Sequence, residues 1–210
     1  AWYGVDSEIM KTNRTYNELG KYTDKEGKTK YYDNQTDNYN QTHYQLHWLH
    51  EITPKLSLNA AAHYTRGIGY YEEYKTARKY EEYGLIPDTI AGKPLKRTDL
   101  VRQKWLDNHF YGLTYALNYV SKMYNLSVGG AANRYYGNHF GKVIWIRNAN
   151  NHDLSKEWYR SFGVKDDANI YAKINWAVLE NLFTTADVQL RYIGYKMNGT
   201  DDKYDATKKA

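Results

Sequence analysis

The chain has 210 residues, a net charge of +5 from 29 basic and 24 acidic side chains, and a mean hydropathy of −0.87. The lack of cysteine excludes disulfides, thiol nucleophiles and cysteine-ligated metals, and no apolar run is longer than four residues, whereas a transmembrane helix needs about 20. The small, evenly spread charge predicts no nucleic-acid partner, and 24 tyrosines against 4 phenylalanines make tyrosine the unusual feature of the composition.

The N-terminal part of the chain shows no sustained periodicity, and residues 1–39 are predicted to form a long polar loop. The sequence opens Ala1-Trp2-Tyr3-Gly4 without an initiator methionine or an apolar leader, and it ends in a polar stretch. We therefore expect a piece of a longer protein, with any targeting segment outside this sequence.

From residue 40 onward, apolar and polar residues alternate with a period of two, which is typical of strands with one apolar and one polar face. The pattern predicts strands near 40–50, 56–66, 105–119, 124–134, 167–178 and 182–193. They form three hairpins because each pair is separated by only a few residues, including Pro54 in the first turn. The predicted fold is therefore all-β, an antiparallel meander of about six strands.

The connections between hairpins differ from the turns within them. Residues 67–103 and 134–166 are predicted as long loops, and 194–210 as a final one. Compact soluble domains mostly use connections of about 4–6 residues, whereas outer-membrane barrels alternate short periplasmic turns with long extracellular loops. A strand of about 10 residues, tilted near 40°, also matches the roughly 25 Å apolar band of such a barrel.

The composition of the two predicted faces agrees with a membrane barrel. The polar face is dominated by Asn, Thr, Ser, Gln and Gly, as expected beside a water-filled lumen. Aromatic residues stand near both ends of the predicted strands, as membrane girdles require: Trp48, Tyr119, Tyr124 and Trp176 beside the turns, and Tyr64, Tyr111 and Tyr192 at the far ends. Tyrosine is also a good strand former, so a soluble antiparallel sandwich is the alternative.

No catalytic motif is present, and the chain is predicted not to be an enzyme and to hold neither a cofactor nor a metal. His43 and His47 lie four residues apart, about 13 Å on a strand, too far to share an ion. His139 and His152 fall in a predicted loop without identifiable metal partners. Adjacent carboxylates such as Glu72-Glu73 point to opposite sides of an extended chain, so they are weak candidates for a catalytic pair.

Several stretches resemble the barrel of TonB-dependent outer-membrane receptors, over most of the chain. They are Arg14-Thr15-Tyr16-Asn17, 34–41 with 43–46, 63–67 with 69–72, 105–108 with 110–113, and 135–141 with Ile144-Trp145. The resemblance implies a 22-stranded barrel around an N-terminal plug, in the outer membrane of a Gram-negative bacterium. This chain supplies about six strands and no plug domain.

The resemblance also implies partners and a substrate class. The expected partners are outer-membrane lipid and the TonB complex, which parts of the parent protein outside this chain would contact. The imported nutrient would be a siderophore, haem, cobalamin or glycan. The alternatives are a non-transporting adhesin or surface barrel, and a soluble aromatic-rich β-sandwich that binds carbohydrate.

Exposed aromatic residues in the predicted loops are the candidate ligand contacts, because they can stack on sugars or chelate rings. These candidates are Tyr70, Tyr71, Tyr135, Tyr136, His139 and Trp145. The alternative for each of them is packing of one loop against another.

Overall fold

The structure is a computed structural model that describes residues 4–16, 18–148 and 153–200. Within these ranges the strands are β1 (Lys21–Thr23), β2 (Thr29–Tyr31), β3 (Asp37–Thr53), β4 (Leu56–Lys79), β5 (Thr89–Ile90), β6 (Lys93–Pro94), β7 (Arg97–Val120), β8 (Tyr124–Ile146), β9 (Glu157–Leu179) and β10 (Leu182–Gly199). A short helix α1 (Ser7–Thr12) and a 3₁₀ turn (Tyr80–Tyr83) complete the described elements. Across the described ranges, no helix has the length and apolar character needed to span a membrane.

The dominant feature is one antiparallel sheet of six long strands in the order β10-β9-β8-β7-β4-β3. The predicted all-β fold and its six-stranded meander are confirmed. In the part of the chain that the structure describes, β3 and β10 each pair on one side only, so the sheet is open and has two edges. The pairs β1-β2 and β5-β6 form small ribbons outside this sheet.

The predicted loops are much too long, because the strands continue far past the residues predicted for them. The loop predicted at 67–103 shrinks to 80–96, and the one at 134–166 to 147–156. The loop predicted at 1–39 contains α1, β1 and β2, and β3 begins within it. Of the stretch predicted at 194–210, β10 takes the first part to Gly199, and 201–210 lie outside the described residues.

The extra strand length has a physical cause in cross-strand pairs that do not need an apolar face. Tyr70 and Trp105 pair directly, with ring centroids 4.6 Å apart, and Arg66 forms an ion pair with Asp107 on the neighbouring strand. Such pairs stabilise a sheet without apolar–polar alternation. The alternation pattern therefore underestimates strand length in this region.

Register fixes which residues share a face, because directly paired residues point to the same side of a sheet. The ladder is continuous between bulges near the strand ends. One face carries a band of mostly apolar side chains, called here the apolar belt, in the part of each strand that lies within about nine residues of its turn. The belt consists of Tyr44, Leu46 and Trp48 on β3; Leu58, Ala60, Ala62 and Tyr64 on β4; Tyr111, Leu113, Tyr115, Leu117 and Tyr119 on β7; Tyr124, Leu126, Val128, Gly130 and Ala132 on β8; Ala168, Ile170, Ala172, Ile174 and Trp176 on β9; and Ala186, Val188, Leu190 and Tyr192 on β10.

The apolar belt is uncovered. Leu46 and Leu190 are each 71% exposed, and Leu113, on a central strand, is 50% exposed. The opposite face, called here the polar face, is linked by hydrogen bonds between side chains. His63 Nε2 lies 2.8 Å from Asn133 Oδ1, and the Ser127 hydroxyl donates to Asn118 Oδ1 at 2.8 Å.

The compact core of the chain lies on the polar face at the loop end, far from the turns. Residues 80–96 fold over the sheet so that Tyr83 packs with Leu100, Val143 and Ile146, and Leu100 is fully buried. Leu85, Leu154 and Trp158 pack around this cluster. Gly84 ends the 3₁₀ turn at φ 63°, a left-handed conformation that glycine adopts without strain.

A half-buried carboxylate, Asp99, fixes the end of β4. The ladder with β7 is interrupted between Lys75 and Arg78, and the N–H of Ala77 donates to Asp99 Oδ1 at 2.9 Å. Arg147 forms an ion pair with Asp99 Oδ2 at 2.6 Å. Burial alone would raise the pKa of Asp99, but the Ala77 N–H and the Arg147 guanidinium lower it, so the carboxylate holds this bulge in place.

Leu100→Ala should destabilise the loop end by about 2–5 kcal/mol, because it removes a fully buried side chain and leaves a cavity. The measurement is the free energy of local opening of residues 80–96, from native-state hydrogen exchange. Ile86→Ala is the control, since Ile86 lies in the same segment and is 79% exposed. Equal protection in the two variants would contradict the assignment of this core.

Candidate ligand-binding surface

A groove of about 610 Å³ opens on the polar face, next to the core at the loop end. Its lining residues come from β3, β4, β7, β8 and β9: Asp37, Tyr39, Tyr70, Tyr71, Glu73, Lys104, Trp105, Leu106, His139 and Tyr159. The register brings them together, since Asp37 pairs with Tyr71 and Leu106 pairs with His139. The groove is therefore built on strands, which hold side chains more rigidly than loops do.

A buried ion pair borders this groove. Glu73 is 7% exposed, and its Oε2 accepts from Arg102 Nε at 2.8 Å while its Oε1 faces Lys75 Nζ at 2.7 Å. Arg102 also donates to the Tyr83 hydroxyl at 3.0 Å. The ion pair thereby links the groove to the core.

The cations beside Glu73 keep its carboxyl group ionised. Burial alone would raise the pKa of Glu73, but the hydrogen bond from Lys75 and the Arg102 charge outweigh burial and lower it. Burial raises the pKa of the Tyr83 hydroxyl, against the opposing charge of Arg102. At neutral pH Glu73 is therefore an anion held between two cations.

A second groove of about 460 Å³ lies on the polar face nearer the turns. Small side chains such as Ala61 and Ala116 line it together with amide, hydroxyl and aromatic groups, namely His47, Asn59, Thr114, Asn169 and Tyr171. The polar face thus offers hydrogen-bonding groups along most of its length.

The six predicted contact residues all lie in strands, three of them on β4 and β8 of the polar face. Tyr71 and His139 line the 610 Å³ groove. Tyr135 lies next to it, and its hydroxyl donates to Asn108 Oδ1 at 2.8 Å. Their placement in loops was wrong, because the strands continue past the apolar belt.

The other three predicted contacts lie on the belt side of the sheet, and of these only Tyr70 also reaches the groove. The Tyr70 ring packs on Trp105 on the belt side, although Tyr70 also borders the groove. Tyr136 donates to Asn138 on the belt side at 3.2 Å, and the Trp145 ring lies 6.0 Å from Tyr74. These contacts agree with the packing alternative, and alternation along a strand explains why neighbours such as Tyr135 and Tyr136 separate.

Three residues that the sequence did not indicate also lie on the polar face. Tyr39 lies in the groove, and Tyr195 and Asn108 lie on the same polar face. The sequence signal that could have pointed to Tyr39 is the pair Gly67 and Gly69, two glycines two positions apart within a strand. They mark close approach of a neighbouring side chain or backbone rather than a phosphate loop.

The N-terminal segment docks on the belt side of β4 through Glu72. Glu72 is 2% exposed and accepts from the Tyr32 hydroxyl at 2.5 Å, from Asn34 Nδ2 at 2.6 Å and from Gln103 Nε2 at 2.6 Å. Burial and the Glu72 carboxylate raise the pKa of Tyr32 to about 12. Glu72 and Glu73 thus have separate structural partners on opposite faces.

The histidines bind neighbouring polar groups. His43 Nδ1 lies 2.9 Å from the Thr65 hydroxyl, and His47 Nε2 lies 3.3 Å from Gln45 Oε1. Among the described residues, no group of three or more potential ligands could hold a metal ion. His152 lies outside the described residues.

Comparison with known protein families finds none that matches this chain, and comparison with curated protein sequences finds no match either. What the chain does is therefore inferred from its own surfaces.

Glu73→Gln should make the protein less stable by about 2 kcal/mol at neutral pH, because the charged hydrogen bonds to Arg102 and Lys75 are lost. Since folding lowers the pKa of Glu73 below its ordinary 4.5, its stabilisation is complete above that value and is lost as the pH falls below it. The gap between wild type and variant should therefore narrow between about pH 5 and pH 3.

The measurement is the thermal unfolding midpoint across that pH range. Glu81→Gln is the matched control, since the Glu81 side chain is 78% exposed and should show no such pattern. A constant gap between wild type and Glu73→Gln at every pH would contradict the assigned role.

Proposed function

We propose that this chain is part of a transmembrane β-barrel in the outer membrane of a Gram-negative bacterium, within a TonB-dependent receptor that imports a scarce, large nutrient. The observation that carries the proposal is the uncovered apolar belt. Soluble monomers rarely expose contiguous apolar patches larger than a few hundred Å². A belt that crosses six strands, with leucines up to 71% exposed, needs lipid or another apolar partner.

The height of the belt supports lipid as that partner. On β7 the belt runs from Tyr111 to Tyr119, eight residue steps, or about 20 Å along the membrane normal at a rise near 3.3 Å and a tilt near 40°. Tyrosine and tryptophan stand at its borders, as at a membrane–water interface. A sandwich would require a second sheet over the belt, and the described residues place none there.

The belt also ends where charges begin. Arg134 and Asp166 pair directly beside Tyr111, and Arg134 binds both Asp166 oxygens, at 2.5 and 2.9 Å. Arg66 and Asp107 follow on the same face, farther toward the loop end. Paired charges at this level fit the polar headgroup region and an extracellular sheet beyond it.

The polar face supports transport rather than anchoring alone. Its two grooves and its amide-rich surface fit a water-filled lumen with a binding site toward the outside. The unpaired edges of β3 and β10 would pair with further strands of the 22-stranded barrel that the sequence resemblance implies. Coupling to the TonB complex and the plug domain would belong to parts of the parent protein outside this chain.

Leu113→Arg should impair assembly in the outer membrane by about 1–3 kcal/mol, because it places a charge on the lipid-facing side, two residues inside the border of the belt. Thr114→Arg is the matched control, since the adjacent side chain points to the polar face and its charge would be hydrated. The measurement is the fraction of full-length protein in the outer membrane that migrates faster on a gel without boiling.

The two variants separate the membrane proposal from the soluble alternative. In a soluble protein with a water-exposed belt, Leu113→Arg would be tolerated at least as well as Thr114→Arg. Equal assembly of both variants, or recovery of the wild type in the soluble fraction, would overturn the proposal.

A further inference from the structure

Three tyrosines lie across the polar face, each beside a glycine of the sheet. The Tyr39 hydroxyl end covers Gly67, and the Tyr135 hydroxyl end covers Gly137. Tyr195 reaches the next strand, where its hydroxyl lies 3.7 Å from the position of a Cβ on Gly163. These three side chains are called here the tyrosine band.

The band follows one row of the sheet. Gly67 pairs with Asn108, Asn108 with Gly137, and Gly137 with Gly163. These residues lie on β4, β7, β8 and β9, three strand spacings of about 4.8 Å, so the hydroxyl ends of the three rings span about 14 Å. The surface is therefore a row of rings across the sheet.

The glycines let the ends of the Tyr39 and Tyr135 rings lie close to the sheet. Because glycine has no Cβ, the Tyr39 and Tyr135 rings can rest on the backbone, and Gly67 and Gly137 are buried. Tyr39 remains 42% exposed and Tyr195 50% exposed. Tyr39 and Tyr195 thus keep much of their surface open to the lumen, while Tyr135 is half-buried.

Polar groups beside the rings are held in place. The Tyr135 hydroxyl donates to Asn108 Oδ1 at 2.8 Å, which leaves the Asn108 amide nitrogen as a donor toward a ligand. His43, on the same face, contacts the Thr65 hydroxyl at 2.9 Å. Aromatic faces flanked by amide and hydroxyl groups match the apolar C–H faces and hydroxyl edges of a sugar ring.

Four cations near the band face protein carboxylates. Toward the loop end, Arg102 and Lys75 hold Glu73, and toward the turns Arg191 binds both oxygens of Asp167, at 2.5 and 3.0 Å. Lys165 Nζ also faces Asp167, at 4.0 Å. An anionic chelate or a haem carboxylate needs cations that can bind it. Because these four cations already face protein carboxylates, we expect a neutral ligand here.

We infer that the tyrosine band binds a neutral, extended oligosaccharide, with successive sugar rings on Tyr39, Tyr135 and Tyr195. The inference rests on the proposed function, because it takes the polar face as the lumen of a transport barrel. It selects one substrate class among those open to such a receptor.

The first test is calorimetric titration of the full-length protein in detergent. The probes are neutral malto-, cello-, xylo- and manno-oligosaccharides about as long as the band, with ferric citrate and haemin as anionic probes. Binding of at least one neutral series supports the inference. Binding of only the anionic probes, or of no neutral probe, overturns it.

The second test displaces a ring without removing it. In Gly137→Ala the new Cβ would meet the Tyr135 hydroxyl end and lie 2.7 Å from Asn108 Oδ1, so the ring must lift from the sheet. Gly194→Ala is the matched control, because it makes the same kind of contact, 2.9 Å from the Tyr192 hydroxyl, on the opposite face. We expect oligosaccharide affinity to fall about tenfold in Gly137→Ala and to stay within about twofold in Gly194→Ala.

Tyr39→Ala and Tyr135→Ala should each weaken binding about tenfold, whereas Tyr39→Phe should retain most affinity because the ring face remains. Unchanged affinity in both alanine variants would overturn the inference.

Outer-membrane location and the gel shift without boiling are recorded in the same samples. A membrane barrel that binds no neutral probe would refute the tyrosine band alone, and a soluble protein would refute the proposed function.

Discussion

The register of the six-stranded ladder is the constraint on which the other features depend. Side chains alternate with a period of two, so a slip of one residue in any strand would exchange its apolar and polar faces. Three short turns and an uninterrupted ladder between the end bulges hold that register. The same hydrogen bonds therefore place leucines such as Leu113 on one side and amides such as Asn133 on the other.

Past the belt, the sheet is stabilised in a different way. Near the turns, stability depends on what covers the apolar face. At the loop end it depends on contacts within the chain: the core around Leu100, the Glu73–Arg102 ion pair and the Asp99–Arg147 ion pair at the bulge. Acidic side chains stabilise much of this region, because each of them is bound by cations or by several hydrogen-bond donors. This end of the sheet is therefore stabilised by contacts within the chain.

The sequence predicted the strands well where one face is apolar and poorly where neither is. Between Tyr111 and Tyr119 the alternation is clear, but Tyr70-Tyr71-Glu72-Glu73 shows no contrast between faces, although it lies within β4. Of the predicted contacts, Tyr71, Tyr135 and His139 share the polar face. Tyr39 was not predicted because its partner Gly67 lies on another strand and becomes visible only with the register. Distances between strands are the information that a single sequence lacks.

The register also contains a stagger between hairpins. Leu56, at the first turn, lies in the same row as Tyr119, Leu126 and Ile174. On β9, however, the third turn begins only after Leu179, which is five residues beyond Ile174. Those five residues measure about 16 Å, and the first and third hairpins are about 19 Å apart across the sheet. With the turns at one level, the strands lean by about 40°, close to the tilt at which a sheet closes on itself. The stagger that a closed barrel would need is thus already present in this open sheet.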